Sequence, residues 1–166
     1  MAYIISLPLL ALLTILQSAV FNDLKLLDGR TDLILLFVVA WGIHGRSREA
    51  MIWGLAGGLF LDLLSGLPLG ITSMILVLIA YLVSFTEGRF WEANFLMPMG
   101  VMMGASIVFH ILSLSILFLL GKSIEMDYAL VRIMLPSTFI NLILALPATQ
   151  LIKLLINSIY PPEVKI

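Results

Sequence analysis

Residues 51–70 read MIWGLAGGLFLDLLSGLPLG, and the fold turns on how this stretch is read. It describes one membrane-spanning helix, its end, and the start of a re-entry. Gly54, Gly58, Asp62, Gly66 and Gly70 recur at four-residue spacing. On a helix the first three of these fall on one slowly drifting stripe. Gly54-x-x-x-Gly58 lets another backbone approach closely, as small residues do in membrane interfaces, and Ala56 and Gly57 widen the small surface. Asp62 lies on the same stripe, about one turn before the helix must stop. Pro68 disfavours helical geometry at Leu67, and Gly66 is a natural left-handed cap. The stretch therefore predicts a packed face that ends in a carboxylate and a rigid turn.

Composition fixes the class. The chain is 166 residues long, 61% hydrophobic and 11% charged, with a mean hydropathy of +1.15. Soluble domains do not reach such values. The length gives room for about five or six membrane helices of roughly 20 residues and leaves no soluble domain for catalysis. A net charge of −1 offers no electrostatic footprint for nucleic acid. With no cysteine there are no disulfides, thiol nucleophiles or thiolate metal sites. The first apolar segment lacks a basic leader and a small-x-small cleavage site, and is expected to be a retained helix.

Taken in order, the sequence predicts a single polytopic all-α membrane domain over residues 1–166. Its six spans fall at about 3–21, 33–43, 50–65, 71–85, 95–120 and 136–156. The connector NDLKLLDGR holds Asp23, Lys25, Asp28 and Arg30 and reads as a solvated, self-compensating loop. Asp32 is placed to cap the second span, and Thr72 or Ser73 the fourth. HGRSRE, residues 44–49, is a tight hairpin. EGRFWEAN, residues 87–94, carries Phe90 and Trp91 where aromatic residues anchor at an interface. Pro98 is tolerated in the first turn of the fifth span. In the last segment Pro136 is expected to separate an interfacial lead-in from the crossing, and Pro147 to kink it. The tail YPPEVKI reads as short and unstructured. Six spans put Arg46, Arg48, Arg89, Lys153 and Lys165 on one side and Lys25, Arg30, Lys122 and Arg132 on the other. That bias favours both termini in the cytoplasm.

Each polar residue inside the membrane is a functional candidate, because an unpaired one is expensive in hydrocarbon. For Asp62 three readings stand: a carboxylate holding the 66–70 turn or a neighbouring loop, a fixed contact for a partner chain, and a proton or ion site. The first weighs most. Arg132, on the same side, is a candidate ion-pair partner, with backbone amides of the turn as the alternative. His110 reads as a hydrogen-bonded packing residue, since no His/Asp/Glu cluster offers convergent metal ligands. Met97, Met99, Met102 and Met103 form a soft surface for lipid, core or another helix. Asn141 and Gln150 read as interhelical hydrogen-bond donors. Ser65-Gly66 has no GxSxG frame, and Gly54–Gly58 follows no strand, so nothing points to catalysis, a cofactor or a metal. The few buried polar residues read as scattered over different spans, which counts against a ligand pocket.

Gly58-x-x-x-Asp62-x-x-x-Gly66-x-Pro68-x-Gly70, followed by Ala80-Tyr81-Leu82, resembles the signature of the MreD family of bacterial rod shape-determining membrane proteins. The second span, opening with Asp32-Leu33 and closing near Trp41-Gly42, fits the same plan. The specific part of the resemblance is residues 54–82; the first and last spans are generic. The resemblance implies a non-enzymatic scaffold in the bacterial cytoplasmic membrane, within the complex that builds lateral cell wall. The implied partners are MreC, a single-span protein, and beyond it MreB, RodA and a penicillin-binding transpeptidase. The family also resembles in fold the substrate-binding subunits of energy-coupling-factor vitamin transporters, which leaves a small-molecule carrier as the alternative. Those subunits carry an Ala-x-x-x-Ala face in the first span, and Ala2, Ala11 and Ala19 do not match it.

Overall fold

A computed structural model of the chain describes residues 2–19, 27–65, 68–86, 96–122 and 125–160. Gly66, Asp23, Lys25, the aromatic anchors Phe90 and Trp91, and the tail beyond Tyr160 lie outside the described residues. The described residues form six helices: α1 Ala2–Ala19, α2 Leu33–Ile43, α3 Ser47–Ser65, α4 Ile71–Ser84, α5 Leu96–Leu119 and α6 Met126–Ile159. α5 and α6 are long and apolar enough to cross a membrane, and α2, α4 and the Leu7–Ala19 part of α1 are shorter apolar helices.

The helix at the centre is α2, not the glycine-rich α3. Every α2 residue except Leu33 is buried, and α2 touches each of the other five helices. LILLFVVAWGI is apolar on all sides, which is the pattern of a helix surrounded by others. Phe37 and Trp41 lie with ring centroids 5.3 Å apart, and Trp41 meets Trp53 of α3 edge-on at 5.7 Å. Eleven residues rise only about 17 Å.

α3 and α4 form the closest-packed hairpin. Ala50, Gly54, Gly57, Gly58 and Asp62 are buried, while Ile52, Leu55, Leu59 and Leu63 face outward. A Cβ at Gly58 would come within 2.4 Å of Ser73 Cα, and one at Gly54 within 3.1 Å of the Leu76 carbonyl carbon. Gly57 faces the other way, where a Cβ would meet Ile34 of α2 at 2.6 Å. The small-residue stripe is thus consumed inside the monomer.

Two expectations about helix ends are corrected. α4 is capped neither by Thr72 nor by Ser73: Gly70 is the N-cap, at φ +98°, a conformation that glycine adopts without strain. Asp32 makes no side-chain cap on α2. The amide of Ile34 instead donates to Gln17 Oε1 from α1 at 3.1 Å, so the cap arrives from another helix.

Pro136 does not end a lead-in helix. α6 continues through it, with residues Ala129–Met134 widened into a π-helical turn just before. Proline has no N–H to give the carbonyl four residues back, and a π segment relaxes the turn that the ring would crowd. That carbonyl, Arg132 C=O, accepts the N–H of Asp28 at 3.1 Å instead.

Candidate functional site

Asp62 reaches its position because the glycine face of α3 lets α4 come close, and it is 1% exposed. Its Oδ2 accepts the N–H of Gly70 at 2.8 Å, and its Oδ1 accepts that of Thr72 at 3.1 Å. One carboxylate therefore satisfies two amides at the start of α4, where the helix dipole also favours negative charge. Pro68 and Gly70 shape the turn that presents those amides. Among the described residues no ion pair joins Asp62 to Arg132. The Arg132 side chain is exposed, and its backbone carbonyl holds Asp28.

A second carboxylate is the larger structural junction. Residues 28–32 leave the turn at 27–28 and run as a non-helical strap along α6. Asp28 N–H donates to Arg132 C=O at 3.1 Å, Arg30 N–H to Ser137 Oγ at 2.9 Å, and Asp32 N–H to Asn141 Oδ1 at 3.0 Å. Every second residue of an extended chain points its N–H the same way, and the acceptors rise along one helix face. Gly29 permits the contact, since a Cβ there would lie 2.6 Å from Ser137 N. Tyr128 Oη adds a bond to Asp28 Oδ2 at 2.7 Å.

Asn141, fully buried, gathers this junction. Its Oδ1 takes the Asp32 amide, while its Nδ2 donates to Asp32 Oδ2 at 3.0 Å and to Ser106 Oγ of α5 at 3.1 Å. Ser106 Oγ donates in turn to Thr138 Oγ1 at 3.3 Å. His110, one turn beyond Ser106, places Nε2 3.8 Å from Asp32 Oδ2 and Nδ1 2.8 Å from the Ser106 carbonyl. The expectation that the buried polar residues are scattered is therefore corrected: Asp32, Ser106, His110 and Asn141 converge from the strap, α5 and α6. Gln150, the other residue read as an interhelical donor, is exposed.

At the opposite end of the bundle the α2–α3 hairpin is closed by Glu49. Its Oε2 accepts Trp41 Nε1–H at 3.0 Å; its Oε1 pairs with Arg46 at 2.7 Å and accepts Tyr160 Oη–H at 3.0 Å. The Arg46 guanidinium stacks over the Tyr160 ring at 3.3 Å, a favourable cation–π geometry. His44 Nδ1 lies 2.7 Å from the Ala40 carbonyl. Burial, aided by the nearby Lys153 charge, pushes the His44 imidazole below its usual range.

These arrangements join elements of the fold. The His110 ring engages the carbonyl of Ser106, not its hydroxyl, so the two are not a nucleophile and its base. Among the described residues no three His, Asp or Glu side chains could share a metal ion.

Comparison with known proteins gives one match. The family described as rod shape-determining protein MreD matches residues 1–159. No curated protein and no solved structure matches the chain. With nearly its whole length matched, and with two helices fit to cross a bilayer, the chain belongs to the MreD family of rod shape-determining membrane proteins.

Proposed function

We propose that this chain is a multi-pass scaffold of the cytoplasmic membrane that holds a single-span partner of the MreC kind within the cell-wall elongation complex. One observation carries the reading. The buried Asp62, Ser106, Ser137 and Asn141 fasten the chain's own elements to one another, while many outward positions of α5 and α6 are large, apolar and placed to meet lipid or another helix. Leu96, Ile111 and Phe118 on α5 and Phe139, Ile143 and Leu154 on α6 are all exposed. A stable partner interface needs about 800 Å² on each side, and the short connectors cannot supply it. Helix faces can. The scaffold is non-enzymatic, and its contribution to rod shape is to hold the partner, and through it the synthases, in place.

A vitamin-type carrier would need convergent polar groups around a cavity. Two clefts, between α1 and α6 and between α4 and α5, are lined almost wholly by aliphatic side chains. In the Asp32–Asn141 cluster the Asn141 amide is spent on Asp32 and Ser106. Neither feature favours a carrier.

The test is co-purification in mild detergent with a single-span partner of the MreC kind, co-expressed with this chain. The expected result is a complex that survives removal of the partner's periplasmic domain, because membrane helices hold it. A complex that dissociates on that truncation contradicts the reading. Orientation is tested separately: the even helix number and the basic bias lead us to expect both termini in the cytoplasm. Cysteines at Ser158 and Asp127, both exposed and at opposite ends of α6, are expected to label from the inside and the outside respectively. Labelling of Ser158→Cys from outside refutes the orientation.

A further inference from the structure

The Asp32–His110 contact cannot be read as a plain hydrogen bond in its unprotonated form. His110 Nδ1 lies 2.8 Å from the Ser106 carbonyl oxygen. A carbonyl only accepts, so Nδ1 carries the hydrogen. In a neutral ring this leaves Nε2 as a lone pair, facing Asp32 Oδ2 at 3.8 Å. A carboxylate oxygen is also acceptor-only. Both side chains are largely enclosed, His110 at 11% and Asp32 at 16% side-chain exposure, and two facing lone pairs in a poorly solvated place are unfavourable. One proton between them turns the contact attractive. It can sit on Nε2 as an imidazolium against a carboxylate, or on Oδ2 as a neutral carboxyl facing the ring.

We propose that Asp32 and His110 together form a proton-binding site, in which one proton held between Oδ2 and Nε2 ties α5 to the strap ahead of α2. The proton comes from solvent and returns to it; only an N–H or O–H bond forms or breaks. The surroundings isolate the pair. Arg30, in the strap, is the other charge acting on Asp32. α2 carries no acid or base, α5 carries none besides His110, and α6 presents the neutral Asn141, Ser137 and Thr138. Phe109 covers the ring edge-on at 5.6 Å. When the proton leaves, Asn141 still holds the strap to α6, but α5 loses its second tie. Proton occupancy therefore biases α5 against the rest of the bundle.

The test uses the full chain in lipid nanodiscs, with thermal unfolding followed from about pH 5 to about pH 9, a range that brackets histidine titration. A proton bound in the folded chain and absent from the unfolded one gives stability on the acid side that is lost as pH rises. The slope contributed by one proton approaches a tenfold change in the unfolding constant per pH unit. Asp32→Asn offers an amide N–H to Nε2 at every pH, and His110→Gln offers one to Asp32. Both are expected to lack the alkaline fall that the wild type shows. Identical pH profiles in all three chains overturn the proposal. Should the variants not fold, nitrogen-15 spectra of the wild-type histidines decide, with His44→Gln assigning the signals. A His110 ring with hydrogen on Nδ1 throughout, and with Nε2 protonated or accepting a strong hydrogen bond only on the acid side, supports the site. A ring with hydrogen on Nε2 and a bare Nδ1 overturns it.

Discussion

Asp62 and Asp32 lie at the same end of the bundle, and each stands at a junction where a helix begins. Asp62 spends both oxygens on amides eight and ten residues further along the chain. Its work is local: it closes one turn and fixes α4 beside α3. Asp32 is tied to residues 78 and 109 positions away, on α5 and α6. Its work is global, since the strap, α5 and α6 meet there. A buried carboxylate satisfied by backbone amides makes a rigid turn; one satisfied by side chains from several helices makes a joint that depends on all of them.

The largest expected effect falls on the joint. Asn141→Leu strands the Asp32 amide and carboxylate together and removes the link to Ser106, and we expect a loss of about 3 kcal/mol in unfolding measurements. A loss no greater than that of an exposed substitution on α6 breaks the comparison. Asp62→Ala leaves the Gly70 and Thr72 amides without their acceptor, at an expected cost of about 2 kcal/mol. Arg132→Ala is the control, expected within about 0.5 kcal/mol of wild type, because the backbone of Arg132, and not its side chain, holds the strap. A large Arg132→Ala effect that vanishes in the Asp62→Ala background restores the ion pair. Gly58→Ala must push α4 away from Asp62, and is expected to cost about 1.5 kcal/mol by overpacking. Gly104→Ala, where an added Cβ meets nothing within 4 Å, leaves folding unchanged. The smallest effect concerns His44. Burial lowers its pKa, so the neutral ring is favoured in the folded state. Its contribution is full above the unfolded value of about 6.5 and falls away as pH drops below that. His44→Gln is expected to remove a modest acid-side loss of stability, opposite in direction to the alkaline loss at Asp32–His110.

The local junction was legible and the global one was not, for physical reasons. The four-residue spacing of glycines, the carboxylate and the Pro68 turn all lie within one stretch, so helical geometry alone relates them. The apolar runs at 33–43, 71–85 and 95–120 lie within a residue of the helix bounds of α2, α4 and α5, because polar connectors interrupt the sequence there. Which helix is central could not be read: lipid-facing and core-facing residues are both apolar, and the periodicity that marks an inner face in soluble proteins is flattened. Asp32, His110 and Asn141 each stand out in the sequence, but their meeting depends on how helices are arranged around α2. The usable signal was the cost of burying a polar group, which requires each of the three to find a partner. Pro136 misled for a related reason. Its lost hydrogen bond is compensated by Asp28, a residue over a hundred positions away.

Hydrogen exchange resolved by segment tests the local–global distinction most directly. In Asp62→Ala, faster exchange is expected in residues 68–74 alone, with α5 and the strap at wild-type rates. In Asn141→Leu, faster exchange is expected together in residues 28–36, in α5 around Ser106–His110, and in α6 around Ser137. Confinement of the Asn141→Leu effect to α6, with the strap and α5 unchanged, would contradict the account.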